Sequence, residues 1–186
     1  MPATTALTTL ATILDQFRDD ARSNRDLGDR FERLIVNYLQ LDPIYADLFS
    51  DVWMFNDWPD KGRIGDVGID IVARTKATGE YCAIQCKFYL PENTIAKGDI
   101  DSFFNAAGKA PFTSTMIVTT TDKWGTNARD ALKRPTPPLI ISVHDLEASP
   151  IAWSKFDARR PHSFTRRAIA PLVESKYDSG NRRWAC

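Results

Sequence analysis

The chain has 186 residues, enough for one compact domain with short appendages and cramped for two. Its composition, 43% hydrophobic and 26% charged, supplies a sizeable core and excludes a disordered or fibrous chain. No apolar run reaches the length of a membrane span, the first residues lack the pattern of a secretory signal, and three cysteines make no disulfide framework, so the expectation is no membrane and a reducing cytoplasm. The formal net charge of zero hides a split. Met1 to Ser154 carries 16 Lys and Arg against 21 Asp and Glu, whereas Lys155 to Cys186 carries 8 against 3. A basic tail of this kind fits a phosphate backbone and fits a solvated linker equally well.

Leu7, Leu10, Leu14 and Phe17 recur at helical spacing and predict an amphipathic helix over Thr5–Arg22. A stronger pattern, Phe31, Leu34, Ile35, Tyr38 and Leu39, predicts a helix over Leu27–Leu41 that Asp26 can cap. Glu32 follows Phe31 by about 100° of rotation and so sits at the border of the apolar stripe, where a carboxylate can face a cleft. Asp51 to Arg63, with Trp53, Phe55 and Trp58, reads as a short strand running into a loop. Gly68–Ala73 and Tyr81–Tyr89 are strand-like runs that Thr78-Gly79 can join as a hairpin. Beyond them come a helix over Asp99–Ala107, a strand over Thr115–Thr119, a helix over Asn127–Lys133 and a strand over Leu139–Val143. The alternation predicts an α/β fold with a mixed central β-sheet flanked by helices.

Side chains two apart on a strand share a face, so Gln85 and Lys87 point one way while Cys82, Ile84 and Cys86 point into the core. Cys82 and Cys86 lie roughly 13 Å apart on an extended chain, too far for a shared zinc ion or a disulfide, and read as inert core thiols. Asp70, across the hairpin, can bring its carboxylate to the patch of the Gln85 amide and the Lys87 ammonium. A carboxylate with an amide oxygen suits a hard cation such as Mg²⁺. Spacing alone fits a buried Asp–Lys ion pair as well. His144 and His162 have no nucleophile at a recognisable spacing, and no phosphate-binding Gly-rich loop is present.

Asp70 followed after a hairpin by Gln85-Cys86-Lys87 resembles the core of the PD-(D/E)XK nuclease superfamily, in the Gln variant typical of Mrr-like restriction endonucleases. The likeness extends to the helix bearing Phe31-Glu32, to Gly65-Asp66-Val67-Gly68-Ile69 before Asp70, and to Met116–Thr120 with Ala128 and Ala131, covering about Leu27 to Ser149. The resemblance implies a restriction-endonuclease-like fold and Mg²⁺-dependent hydrolysis of phosphodiester bonds in double-stranded DNA. In it Asp70 and Gln85 hold the cation, Glu32 assists the cation or its water, and Lys87 orients the attacking water and stabilises charge on the phosphate. Gln in place of an acidic residue removes one negative charge, for which Asp66 is a nearby carboxylate.

In the tail, Arg159-Arg160-Pro161-His162, Arg167-Ala168-Ile169 and Arg182-Arg183-Trp184 resemble the approach to a superfamily 2 helicase core, and the chain stops where the phosphate-binding loop of such a core begins. The expected organisation is an N-terminal helix over residues 1–25, a nuclease domain over 26–150, and a basic linker with the possible start of a helicase domain over 151–186. Expected partners are DNA and helicase or methyltransferase domains or subunits of a restriction system. The rival expectation is a catalytically inactive DNA-binding or assembly module that keeps the nuclease-like fold.

Overall fold

The computed structural model describes residues 9–62, 65 and 68–156. Its first helix, α1 (Leu10–Asp20), is set by a reciprocal cap: the Thr12 amide donates to the Thr9 hydroxyl and the Thr9 amide to the Thr12 hydroxyl. The second, α2 (Asn24–Leu41), starts earlier than the apolar pattern requires. Ser23 is its cap, accepting from the Asp26 amide at 3.1 Å, so Asp26 is not the capping residue. Asp26 lies in the first turn and takes the Arg22 amide and the Arg30 guanidinium instead, which holds its carboxyl below the usual range. The short serine hydroxyl reaches forward to the amide of the third residue of the helix, while the Asp26 carboxylate reaches back past it to the Arg22 amide. A further short helix, α3 (Pro43–Leu48), is capped by Asp42, with Pro43 where its missing N–H costs nothing.

The sheet has five strands in sequential order: β1 (Phe49–Met54), β2 (Ile71–Thr75), β3 (Tyr81–Lys87), β4 (Phe112–Thr119) and β5 (Leu139–Ile141). The first three pair antiparallel and the last three parallel, so β3 is the strand at which direction changes. The expected hairpin is present, and Gly79 at its turn has φ 72°, a conformation that glycine adopts without strain. Between β1 and β2 the chain makes two 3-10 turns, Phe55–Asp57 and Pro59–Lys61, within the loop expected to follow the short strand. Two crossover helices, α4 (Gly98–Ala107) and α5 (Thr126–Leu132), link the parallel strands. β5 ends two residues before the expected Val143, because Ser142 and Asp145 form a capping box that opens α6 (Val143–Ala148).

Both faces of the sheet are buried, as a sheet with parallel strands requires. On one face Ile71, Ala73, Cys82, Ile84, Met116 and Val118 pack with the apolar sides of α1 and α2. On the other, Val72, Ala83 and Ile117 pack with Ile100 and Phe103 of α4 and Ala128 of α5. Residues 151–156, expected to open the basic linker, contribute Ile151, Trp153 and Phe156 to the α1–α2 core; Phe156 meets Phe17 edge-on at 6.2 Å, and the Trp153 indole donates to the Leu146 carbonyl. Among the described residues no helix is long and apolar enough to cross a membrane. The tail residues named above, Arg159 to Trp184, lie outside the described residues, as does Asp66.

Phe31 is fully buried and its ring packs at 5.1 Å, tilted by 46°, against that of Phe88, just beyond β3, so it fixes α2 against the strand that carries Gln85 and Lys87. Phe31→Ala is expected to lower unfolding free energy by about 3–5 kcal/mol in a urea titration. A loss below about 1 kcal/mol would show that α2 is held elsewhere.

Candidate active site

The site forms where β2 and β3 part. Their register runs from Arg74↔Tyr81 to Ile71↔Ile84 and stops, whereas β3 keeps pairing with β4 through Lys87↔Thr119. Gln85, Cys86 and Lys87 therefore lose a strand neighbour on one side. Asp70, just before β2, fills the gap. Its own amide donates to the Ile84 carbonyl at 3.0 Å, although Ile84 is the partner of Ile71, and its carboxylate accepts the Cys86 amide at 2.7 Å. The alternation of side chains slips at the same point: Ile69 and Val72 both belong to the α4-side core, while Ile71 belongs to the α2 side. A one-residue slip of this kind re-aims a side chain. Here it gives Asp70 to the cleft along α2.

That cleft is lined by Asp70, Glu32, Asp29, Asp57, Arg25, Arg33 and neighbouring residues. Glu32 is half-buried, at the edge of the apolar stripe as its position predicts. A methyl group placed on Gly28 would lie 3.5 Å from Glu32 Oε1, so the carboxylate lies back along the preceding turn of α2. The electrostatic centre of the site is Cys86. Burial first, then the charges of Asp70 and Glu32, push its thiol well above the ordinary range, and Lys87 pulls the other way. The charges of all three residues are thus felt at the Cys86 position.

Gln85 is the buried member of the set, 3% exposed. Its Nε2 donates to the Gly68 carbonyl at 3.1 Å; a carbonyl can only accept, so this contact decides which way the amide faces. Gln85 Oε1 is then left buried without a hydrogen-bond partner among the described residues. Gly68 is required for this arrangement. It has φ 77°, and a side chain there would come within 2.9 Å of Ser102 Oγ and 3.4 Å of the Phe103 amide. Lys87 lines an adjoining cleft with Arg18, Asn24, Leu27, Phe88 and Leu90, and the two clefts share Asn24 and Gly28. Among the described residues no group of three or more His, Cys, Asp or Glu side chains is disposed to hold a metal ion. Asp70 and Glu32 share one cleft and Lys87 lines the other, while Gln85 is among the lining residues of neither.

The exit of β3 is clamped by three buried threonines, Thr119, Thr120 and Thr121, to which the sequence pattern assigns no role. The Thr120 amide donates to the Lys87 carbonyl, and its hydroxyl both accepts from the Tyr89 amide at 2.8 Å and donates to the Tyr89 carbonyl at 2.6 Å. Thr121 donates to the Asn93 carbonyl at 2.8 Å, and Thr119 to the Thr121 carbonyl at 3.0 Å. Their signal in the sequence is three hydroxyls in a row directly after an apolar strand.

A five-stranded mixed sheet with helices on both faces and an acidic cleft where its antiparallel and parallel halves meet is the restriction-endonuclease-like class of fold. The chain belongs to the restriction endonuclease family Mrr_cat_2, whose model matches residues 40–163. It is similar to a solved structure of the ATP-dependent Type ISP restriction-modification enzyme LlaBIII bound to DNA, with 31% identity over 87% of this chain and a TM-score of 0.71. It spans 10% of that enzyme's chain. The modification-dependent restriction endonuclease AspBHI matches at 14% identity over 82% of this chain and 37% of its own, with a TM-score of 0.47. MspJI restriction endonuclease, in complex with a 27-mer oligonucleotide, matches at 16% identity over 83% of this chain and 32% of its own, with a TM-score of 0.43. No curated protein matches the chain.

Two predictions follow from this geometry. Thr120→Val keeps the shape of the side chain but leaves the Tyr89 amide and carbonyl unpaired; it is expected to cost about 1–3 kcal/mol and to speed hydrogen exchange at Tyr89. Unchanged exchange there would remove the clamp. The Cys82 thiol, pushed up to about 11 by burial, and that of Cys86 are protonated at pH 8. Both are expected to resist alkylation in the native protein and to react once urea unfolds it, read by peptide mass. Rapid native labelling of Cys82 would contradict its burial.

Proposed function

We propose that this chain is a Mg²⁺-dependent DNA endonuclease domain of the PD-(D/E)XK type that hydrolyses phosphodiester bonds in double-stranded DNA and serves restriction of foreign DNA. Family membership and the likeness to a DNA-bound restriction-modification enzyme support the class. The observation that carries the reading is Gln85 Oε1, an acceptor buried without a partner among the described residues, on the strand that also anchors the Asp70 carboxylate. A buried oxygen of this kind costs about 1–3 kcal/mol unless something meets it, and a hard cation is a fitting occupant.

In this reading Asp70, Gln85 Oε1 and Glu32 are the oxygens that hold Mg²⁺. When bound, the cation supplies Lewis-acid stabilisation of charge on the phosphate. The chain's own residues do the rest. The Cys86 amide fixes the orientation of Asp70, and the Gly68 carbonyl fixes that of Gln85. Lys87, held at the end of β3 by Thr120, orients the attacking water and offsets charge developing on the phosphoryl oxygens. We further propose that residues 26–150 form the nuclease domain together with the packed segment 151–156, that residues 1–25 carry its N-terminal helix, that the rest of the chain to residue 186 is its lead into a helicase, and that it acts beside helicase or methyltransferase domains or subunits.

Plasmid cleavage by the whole chain, with Mg²⁺ or with chelator, tests the reading. Wild type is expected to cut only with the cation, and Asp70→Asn and Lys87→Ala to cut on the order of 10²-fold more slowly or worse. Both variants should keep a thermal midpoint near that of wild type, since neither side chain belongs to the apolar core. Full cutting by Lys87→Ala, or in chelator, would overturn the proposed chemistry. Binding of DNA with no cutting by wild type would favour the inactive module.

A further inference from the structure

The cleft of Lys87 differs in kind from the cleft of Asp70. The Asp70 cleft is lined by four carboxylates, those of Asp29, Glu32, Asp57 and Asp70, besides Arg25 and Arg33. The Lys87 cleft has Lys87 and Arg18 as its charged residues and the amides of Asn24 and Asn93, with no carboxylate among the described residues that line it. A mainly acidic cleft and a basic cleft therefore stand side by side, joined at Asn24 and Gly28.

Arg18 comes from the last turn of α1, ahead of the stretch that the family model matches. Its guanidinium carbon sits 4.8 Å from the centroid of the Phe88 ring, and Phe88 is the residue after Lys87. Phe88 is itself held by Phe31. The contact with the ring holds the guanidinium over Phe88, and Asp15 takes one end of it, Nη1, at 2.6 Å. Asp15 is well exposed, with 69% of its side-chain surface open, against 23% for Arg18, so this ion pair is weak and screened by water. What remains is a planar fork of donors, pre-oriented beside Lys87. A phosphate diester matches that fork in geometry and charge.

We propose that Arg18, laid on the Phe88 ring beside Lys87, is a phosphate-binding residue for the DNA strand that enters the site. The proposal rests on the nuclease reading for its ligand and adds α1 to the substrate surface. A phosphate seated on Arg18 places the strand along the α1–α2 side of Lys87, with the acidic cleft next to it.

The test measures binding of the whole chain to a labelled DNA duplex by fluorescence anisotropy in chelator across a salt series, with no cleavage required. Arg18→Ala is expected to weaken binding on the order of tenfold. It is also expected to lower the slope of log K against log salt by about one, the mark of one lost phosphate contact. Arg18→Met keeps an apolar stem over Phe88 and should lose the same slope without loosening the fold. Lys133→Ala, which removes an exposed cation paired with Asp130 on α5, should leave the slope unchanged. Wild type that binds, with Arg18→Met keeping the wild-type slope, overturns the proposal and leaves the nuclease reading standing; weaker binding at an unchanged slope does the same, because it marks a packing effect. Wild type that fails to bind DNA overturns both.

Discussion

The bond from the Cys86 amide to the Asp70 carboxylate is what the geometry of the site depends on. β3 runs three residues past the end of its pairing with β2, and amides on that side must find acceptors or be left unsatisfied. Asp70 supplies one from a side chain. In doing so it spends one carboxylate oxygen on the backbone of the strand that bears Gln85 and Lys87, so that the two strands can separate without either losing its position. The slip in alternation at Asp70 is part of the same arrangement. A regular ladder would put Asp70 with Val72 on the α4 side; the slip gives it to the cleft along α2 with Glu32.

Rigid packing surrounds this opening. Phe31 and Phe88 lock α2 to the chain just beyond Lys87, and the Thr119-Thr120-Thr121 run ties that same stretch to the end of β4. A hydroxyl that accepts from and donates to one residue's backbone, as Thr120 does with Tyr89, substitutes for a strand pair where no strand is present. The residues at the end of β3 are therefore held by packing on one side and by side-chain hydrogen bonds on the other. Such support from outside the site keeps reactive groups in one geometry.

The periodicity of Phe31 to Leu39 identified α2 and the border position of Glu32, because burial of one helix face imposes a 3.6-residue repeat whatever the partner is. The hairpin and the order of elements were equally legible, since strand runs, Thr78-Gly79 and the crossover helices are each local signals. The slip at Asp70 was not. Parity counted along a regular strand assumes a ladder, and a one-residue slip shows only in the pairing. The Ser23 cap, α3 and α6 were missed because apolar spacing was weighed over capping residues, although Asp42-Pro43 and Ser142 with Asp145 carry those signals. The packing of Trp153 and Phe156 was hidden by the change of charge at Lys155. Charge describes the outer surface, and two buried aromatics outweigh it.

The amide at position 85 follows from where that position lies. Gln85 is buried on the sheet, and Asp70 and Glu32 already place two carboxylates close enough to raise the Cys86 thiol. A third carboxylate at 85 would have to be charged in the same low-dielectric region, where desolvation and like-charge repulsion both favour its neutral form. The Gly68 carbonyl makes this worse, because it is an acceptor and would face the anion's own lone pairs. Gln85 meets the carbonyl with an N–H and presents an oxygen on its other side, keeping a donor atom in the buried position at no cost in charge. On the proposed reading, the attraction for a cation then comes from Asp70 and Glu32, and the amide contributes direction more than field.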